Sequence, residues 1–208
     1  MAAEGTYDRD VLTLDPGPLE TDRLRLRPFE EKDAHAMWLM LSSPNVMRFI
    51  PRPAGTDETL EKQQFLDGLK SGRFKFFYAV TWKDPGDTLP DEALGWVLMR
   101  PTPDGRFVEV GYWFREEYWG MGLATEAGKA AIEAARKTMG FPNEDLFAYV
   151  LRGNDASRNV LTKLGLEHRQ DTVIDGDEVW ELYGPGAEIY EETVRYIHKQ
   201  PETNPVEG

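Results

Sequence analysis

The chain contains no cysteine. That single absence removes a disulfide framework, a thiolate zinc site and any acyl-cysteine intermediate. Histidine is nearly as scarce: His35, His168 and His198 are scattered, with no H-E-x-x-H pair among them. A G-x-x-x-x-G-K-[ST] phosphate loop and a G-x-S-x-G elbow are also missing, so kinase-type, serine-hydrolase and zinc-protease chemistry has no residues to run on. No apolar run approaches membrane-spanning length, and the Met1-Ala-Ala-Glu-Gly start has neither the basic nor the apolar region of a signal peptide. A cytoplasmic protein that stays out of the bilayer is the expectation. Basic residues are in deficit, 24 Lys and Arg against 37 Asp and Glu, for a formal charge of −13. Such a balance argues against a nucleic-acid backbone as the main partner and slightly favours cationic ligands such as amines.

What is present suits one globular domain, with 40% hydrophobic and 12% aromatic residues in 208. Residues 1–18, ending in Asp15-Pro-Gly-Pro18, read as an arm. Leu24 and Leu26 alternate with Arg23, Arg25 and Arg27, the period-two signal of a strand within Leu19 to Pro28. Glu30 to Ser43 places Ala34, Met37, Trp38 and Leu41 on one helical face, and Asp57 to Ser71 carries Leu60, Phe65, Leu66 and Leu69 on another, with Pro44, Pro51 and Pro53 between. Phe76–Trp82, Ala93–Met99 and Phe107–Phe114 read as strands in antiparallel hairpins, the last pair turning at Pro103-Asp-Gly105. A helix over Thr125–Thr138, a strand over Leu146–Val150 and a helix over Ala156–Leu164, closed by Gly165, follow. Two strands, Leu166–Gln170 and Val173–Leu182, joined near Asp175-Gly-Asp177, complete a domain spanning 19–184. Residues 185–208 then give an amphipathic segment with Tyr190, Val194 and Ile197 at helical spacing, and a tail of disordered composition.

The stretch from Glu109 to Ala127 runs from an apolar strand through a glycine-punctuated loop into an alanine-rich helix. Gly120 and Gly122 admit backbone conformations closed to residues with a Cβ, and the helix start offers unpaired N–H groups and a positive dipole end. An anion such as a pyrophosphate fits there. The loop lacks the third glycine of a dinucleotide fingerprint and opens no N-terminal βαβ unit, which disfavours a Rossmann reading.

Trp119-Gly-Met-Gly-Leu-Ala124 resembles the acyl-CoA pyrophosphate loop, R/Q-x-x-G-x-G/A, of the GNAT N-acetyltransferases. Glu109-Val-Gly-Tyr112 and Thr125-Glu-Ala127 sharpen the resemblance to the branch containing the ribosomal-protein alanine N-acetyltransferases, the RimJ/RimL-like enzymes. It extends from Leu19-Glu-Thr-Asp-Arg-Leu-Arg-Leu-Arg-Pro28 to Asn154-x-x-Ser157 and Lys163-Leu-Gly-Leu166. The resemblance implies an α/β fold of the α+β type: a mixed, mostly antiparallel sheet, splayed between its fourth and fifth strands, with helices on both faces. Acetyl-CoA would lie in the gap and the acceptor amine would enter from the other side, for direct attack in a ternary complex without a metal. By resemblance the default acceptor is a protein N-terminus. Acetylation of a small amine and a CoA-binding module without turnover are the rivals, and the protein would act as a monomer or homodimer.

Carried onto this chain, backbone N–H groups of Gly120, Met121, Gly122, Leu123, Ala124 and Thr125 would hold the pyrophosphate, and main-chain groups of Tyr112, Trp113 and Phe114 the pantetheine arm. Trp119 and Met121 stand where basic or amide side chains are frequent, which leaves Arg115, Lys129 or Arg158 as charge partners. An alkylammonium with a pKa near ~10 must lose a proton before attack, and a thiolate whose parent pKa is ~8.5 must depart. Glu109, on the strand that lines the cleft in the resembled fold, is the candidate base; its alternative is a carboxylate tied to a neighbouring backbone group or arginine. The resemblance places Ser157 near the thioester sulfur as acid or hydrogen-bond donor, since Leu161 fills the position where many GNAT enzymes carry a tyrosine. Asn154 would bond the pantetheine amide, or cap the helix that follows it. Trp38, Phe49, Trp82 and Trp96, with the loop at Pro51-Arg-Pro53, would lie on the acceptor side, although aromatic residues so spaced also suit a core.

Overall fold

Alternating apolar residues build a sheet whose strands are short at the start and longer toward the centre. The computed structural model describes residues 18–50, 52–86, 90–102, 107–139, 145–173 and 179–184. The arm, Pro51, the Pro103-Asp-Gly105 turn, the Asp175–Asp177 junction and the Tyr190, Val194, Ile197 stripe lie outside the described residues. Strands β1 (Leu19–Glu20), β2 (Leu24–Arg27), β3 (Phe77–Trp82), β4 (Gly95–Pro101) and β5 (Val108–Phe114) form an antiparallel meander. Strand β6 (Leu146–Leu151) joins β5 in parallel, and β7 (Glu167–Val173) and β8 (Val179–Gly184) close the far side in the order β6-β8-β7. The parallel pair is short. Only Val108 with Leu146 and Glu109 with Phe147 are in register, after which β5 and β6 part. These are the strands expected as fourth and fifth, renumbered because the two residues of β1 pair with β2.

Helix α1 (Ala34–Ser42) follows a 3-10 turn at Glu31–Asp33, and α2 (Pro44–Met47) follows α1 directly. Sequence reading took Pro44 as a separator. In fact it occupies the first turn of α2, where a missing N–H costs nothing, and Ser43 caps that turn by accepting from Val46 N. Asp57 caps α3 (Glu58–Lys70) by accepting from Leu60 N. The buried stripe of α3 is Glu61, Phe65 and Gly68. Leu60, expected on that face, is 53% exposed. Glu61 takes the inner position because Arg52 meets its carboxylate at 2.6 Å. Arg27, which alternates with the leucines in the sequence, is likewise buried, its guanidinium bonded to Asp33 at 2.7 and 2.9 Å.

Besides a third, small core of Phe147 and Leu182, two large cores result, one on each face of the sheet. On one, Ala127, Ala131 and Ala135 of α4 (Leu123–Met139) present a stripe of small residues to Leu24, Leu26, Val97 and Val110, and Leu161 of α5 (Asp155–Lys163) joins them. On the other, Met37 and Met40 of α1 and Phe65 of α3 pack on Ala79, Trp96 and Leu98. Helices α4 and α5 approach closely because Gly128 has no side chain: a Cβ there would lie 3.0 Å from Leu164.

Candidate active site

The gap between β5 and β6 is edged by backbone amides. Arg115 N donates to Leu94 O at 2.9 Å and Thr102 N to Phe107 O at 2.8 Å. Because an antiparallel ladder alternates, Glu109, Gly111 and Trp113 turn their N–H and C=O groups toward β4, while Val110, Tyr112 and Phe114 turn theirs toward β6. Pairing with β6 has already stopped there. The bond from Arg152 N to Val179 O sets the same alternation on the other edge, so Tyr149 and Leu151 turn toward the gap. An extended ligand carrying amides can add to such an edge as a strand does. Of the three residues expected to line it, Tyr112 and Phe114 direct main chain into the gap and Trp113 directs its own to β4. The Phe114 carbonyl also accepts from Trp119 Nε1 at 2.8 Å.

At the end of β5 the chain passes through a 3-10 turn, Glu116–Tyr118, into the glycine loop and α4. Gly120 and Gly122 have φ of +75° and +77°. Both glycines are needed for backbone shape, since a Cβ at Gly120 would meet nothing within 4 Å. Glu126 N donates back to Gly122 O at 3.1 Å, so the helix begins at the loop and the N–H groups just inside it have no intrahelical partner. Trp119 and Met121 flank the glycines and are 48% and 44% exposed.

A basic side chain that touches the loop is Arg23, which the sequence pattern places in a strand. Arg23 precedes β2 and bonds the loop itself: Nη1 donates to Met121 O at 3.1 Å and Nε to Glu126 Oε2 at 2.7 Å. Thr21 Oγ1 donates to the other Glu126 oxygen at 2.6 Å. Partial burial works against the charge on Glu126, but the bonds from Thr21 and Arg23 prevail and hold its carboxyl below the usual range. The opening motif is thus stapled to the glycine loop. Of the charge partners named from sequence, Arg115 is engaged by Glu92 and Glu117 at 2.8 and 2.6 Å, and Arg158 by Asp155 and Glu181 at 2.9 and 3.2 Å. Lys129 is exposed and lines a groove of about 380 Å³ with Ile132, Arg136 and Leu164.

Glu109 lies at the closed end of the gap, opposite Arg100, which donates to its Oε2 at 2.6 and 3.0 Å. Its side chain is 16% exposed, on the sheet face shared with Gly111 and Trp113. The arginine-tied arrangement is therefore present. Tyr112, on the opposite face, sends its hydroxyl to α5, 2.9 Å from Ser157 O and 3.0 Å from Ser157 Oγ. Nothing in the sequence pattern announced that contact, because the two residues sit on different halves of the splayed sheet. Asn154 caps α5, its Oδ1 accepting from Ser157 N at 3.1 Å, which leaves its NH₂ without a partner among the described residues. Trp96 packs into the core beside Trp113, ring centres 5.1 Å apart, and Trp82 packs against Tyr118. Ser43 and Asn45 bond the Glu116 carboxylate at 3.2 and 2.7 Å, joining α2 to the turn that precedes the glycine loop.

Among the described residues no His, Asp and Glu side chains group as a metal site, and no helix is long and apolar enough to cross a membrane. Comparison with known proteins gives concordant results. The chain is 26% identical over 168 residues to the uncharacterized N-acetyltransferase YnaD of Bacillus subtilis (strain 168), covering 79% of this chain and 93% of that protein. The fold is similar to an acetyltransferase of the GNAT family from Bacillus anthracis, with a TM-score of 0.66 and 23% identity over 80% of this chain and 95% of that one. It is also similar to RimL, a ribosomal L7/L12 alpha-N-protein acetyltransferase solved in complex with coenzyme A, with a TM-score of 0.64 and 15% identity over 83% of this chain and 100% of that one. The acetyltransferase (GNAT) domain model matches residues 23–167, and the chain belongs to the GNAT acetyltransferase family.

Proposed function

We propose that the protein transfers the acetyl group of acetyl-CoA to the amine of a protein N-terminus, by direct attack in a ternary complex. The observation that carries this reading is the joining of two ligand features on one strand. Strand β5 offers Tyr112 and Phe114 main chain to the gap, and its end leads into two glycines at positive φ under the start of α4. That order along the chain suits a ligand with amides in its arm and a diphosphate at its end. The cradle fits that group: it offers N–H donors from Gly120 to Thr125 and a helix dipole, with Arg23 neutralising the Glu126 carboxylate beside them. RimL, a fold neighbour, was solved with coenzyme A and is named for acting on a protein α-amine, which supports the choice of donor and acceptor.

In this reading Tyr112 and Phe114 orient the pantetheine arm, and the free NH₂ of Asn154 donates to one of its amide carbonyls. Glu109 takes the surplus proton of the amine, directly or through a water. Arg100 holds Oε2, so Oε1 is the oxygen that receives the proton. Ser157 donates a hydrogen bond to the sulfur as the C–S bond breaks. A panel of peptides and small amines, assayed for acetyl-CoA consumption with product mass, tests the reading. Mass gain on peptide N-termini is expected. Turnover confined to small amines overturns the acceptor, and CoA binding with no transfer to any amine overturns the activity.

A further inference from the structure

Tyr112 and Ser157 form a pair of hydroxyls whose two protons are both used when the pair makes both of its contacts, so none is left for a ligand. The Tyr112 hydroxyl has one proton and two acceptors within reach, Ser157 O at 2.9 Å and Ser157 Oγ at 3.0 Å. If that proton goes to the carbonyl, the Ser157 hydroxyl donates to Tyr112 and has nothing left for a ligand. If it goes to Oγ, the Ser157 proton is released to point elsewhere. The first arrangement bonds both hydroxyl protons within the pair, and the second frees the Ser157 proton, so an acceptor placed beside Oγ selects the second.

We propose that Tyr112 is a positioning residue for the departing thiolate, acting through Ser157; this rests on the acetyl-CoA reading above. When the amine attacks, the C–N bond forms, the C–S bond breaks and the electron pair leaves on sulfur. That negative charge draws the Ser157 proton toward the gap, and Tyr112 supplies Oγ with a hydrogen bond in its place. No proton leaves either hydroxyl. Burial pushes the Tyr112 phenol far above its ordinary range, against a smaller opposing effect of its bond to Ser157, so it remains a donor throughout. The thiolate takes its proton from solvent on release. The charged groups on neighbouring elements are already paired with one another: Arg158 donates to Tyr183 and meets Glu181, and Tyr183 donates to the same carboxylate. None of these bonds is to Tyr112.

The test uses CoA itself and needs no acceptor. Thiolate absorbance of bound CoA is followed over about pH 6 to 10 for the wild type, Tyr112→Phe, Ser157→Ala and the double variant, with CoA affinity measured near pH 6, where the thiol is protonated. The wild-type complex is expected to ionise the thiol below its free value of ~8.5, and Tyr112→Phe to raise that value by about one unit, tenfold in thiolate, with affinity near pH 6 within about twofold. The double variant is expected to match Ser157→Ala, which keeps the bond from Tyr112 to the Ser157 carbonyl and so preserves any purely structural tie. An unchanged thiol pKa in Tyr112→Phe, or a shift from Tyr112→Phe that persists without Oγ, overturns the inference. A Tyr112→Phe variant that loses CoA affinity near pH 6 shows a strut and also overturns it. A wild type that fails to bind CoA overturns the cofactor reading, a separate failure.

Discussion

Arg23 shows how one side chain can brace a loop that carries no basic residue of its own. Its guanidinium neutralises Glu126, an acid placed in the first turn of the helix that should receive a diphosphate, and fixes the Met121 carbonyl. Arg23→Ala is expected to weaken acetyl-CoA binding about tenfold, the scale of one charge-assisted hydrogen bond, with kcat at saturation unchanged; unaltered affinity would show that the loop is set without it. The sign of the linked pH effect follows from Glu126. Its folded pKa is depressed, so its contribution to stability is complete above the ordinary carboxylate value of ~4.3 and is lost as pH falls through the folded value. Acid melting curves should show that loss in the wild type and a smaller one in Arg23→Ala. Glu109 makes a different prediction. Glu109→Gln is expected to lower kcat by about 10²- to 10⁴-fold, the range of a lost general base, while leaving the acetyl-CoA Kd unchanged. Full activity across pH would remove it as the base.

At the scale of elements, local chemistry decided most boundaries and long-range pairing decided the exceptions. Asp57 at the start of α3 and Gly165 after α5, at φ of +87°, were readable because caps act over one turn. The positions of Leu60, Arg27 and Arg23 were not readable, because each depends on a partner from another element or on the lack of one. Helix α2 escaped because a proline that breaks a helix interior is welcome in its first turn. The small-residue stripe of α4 gives a test at this scale. Ala131 is fully buried among β-strand side chains, and Ala131→Leu is expected to destabilise the fold by about 1–3 kcal/mol through overpacking, read as a lower Tm. A Tm at or above the wild-type value would show space that the close helix–sheet contact denies.

For the whole molecule, function follows from an incomplete sheet. Two register pairs join β5 to β6, and beyond them the two strand edges separate with their amides turned inward. The glycine loop was legible because positive φ selects glycine by steric rule, and the family resemblance supplied the ligand proposed for it. The gap was legible only through that resemblance, since no local pattern tells a strand that it will lose its neighbour halfway along. The tie from Tyr112 to Ser157 spans the two parts that such a gap leaves apart, and the staple from Arg23 to Glu126 fixes the glycine loop and α4 to the β2 side. The central claim, that this loop and gap receive acetyl-CoA, is tested by calorimetric titration of acetyl-CoA into the wild type and Gly122→Val. A β-branched residue there is strained at φ of +77° and keeps a diphosphate from the backbone N–H groups. One-to-one binding by the wild type and none by the variant is the expected result; equal affinity in a folded variant would contradict it.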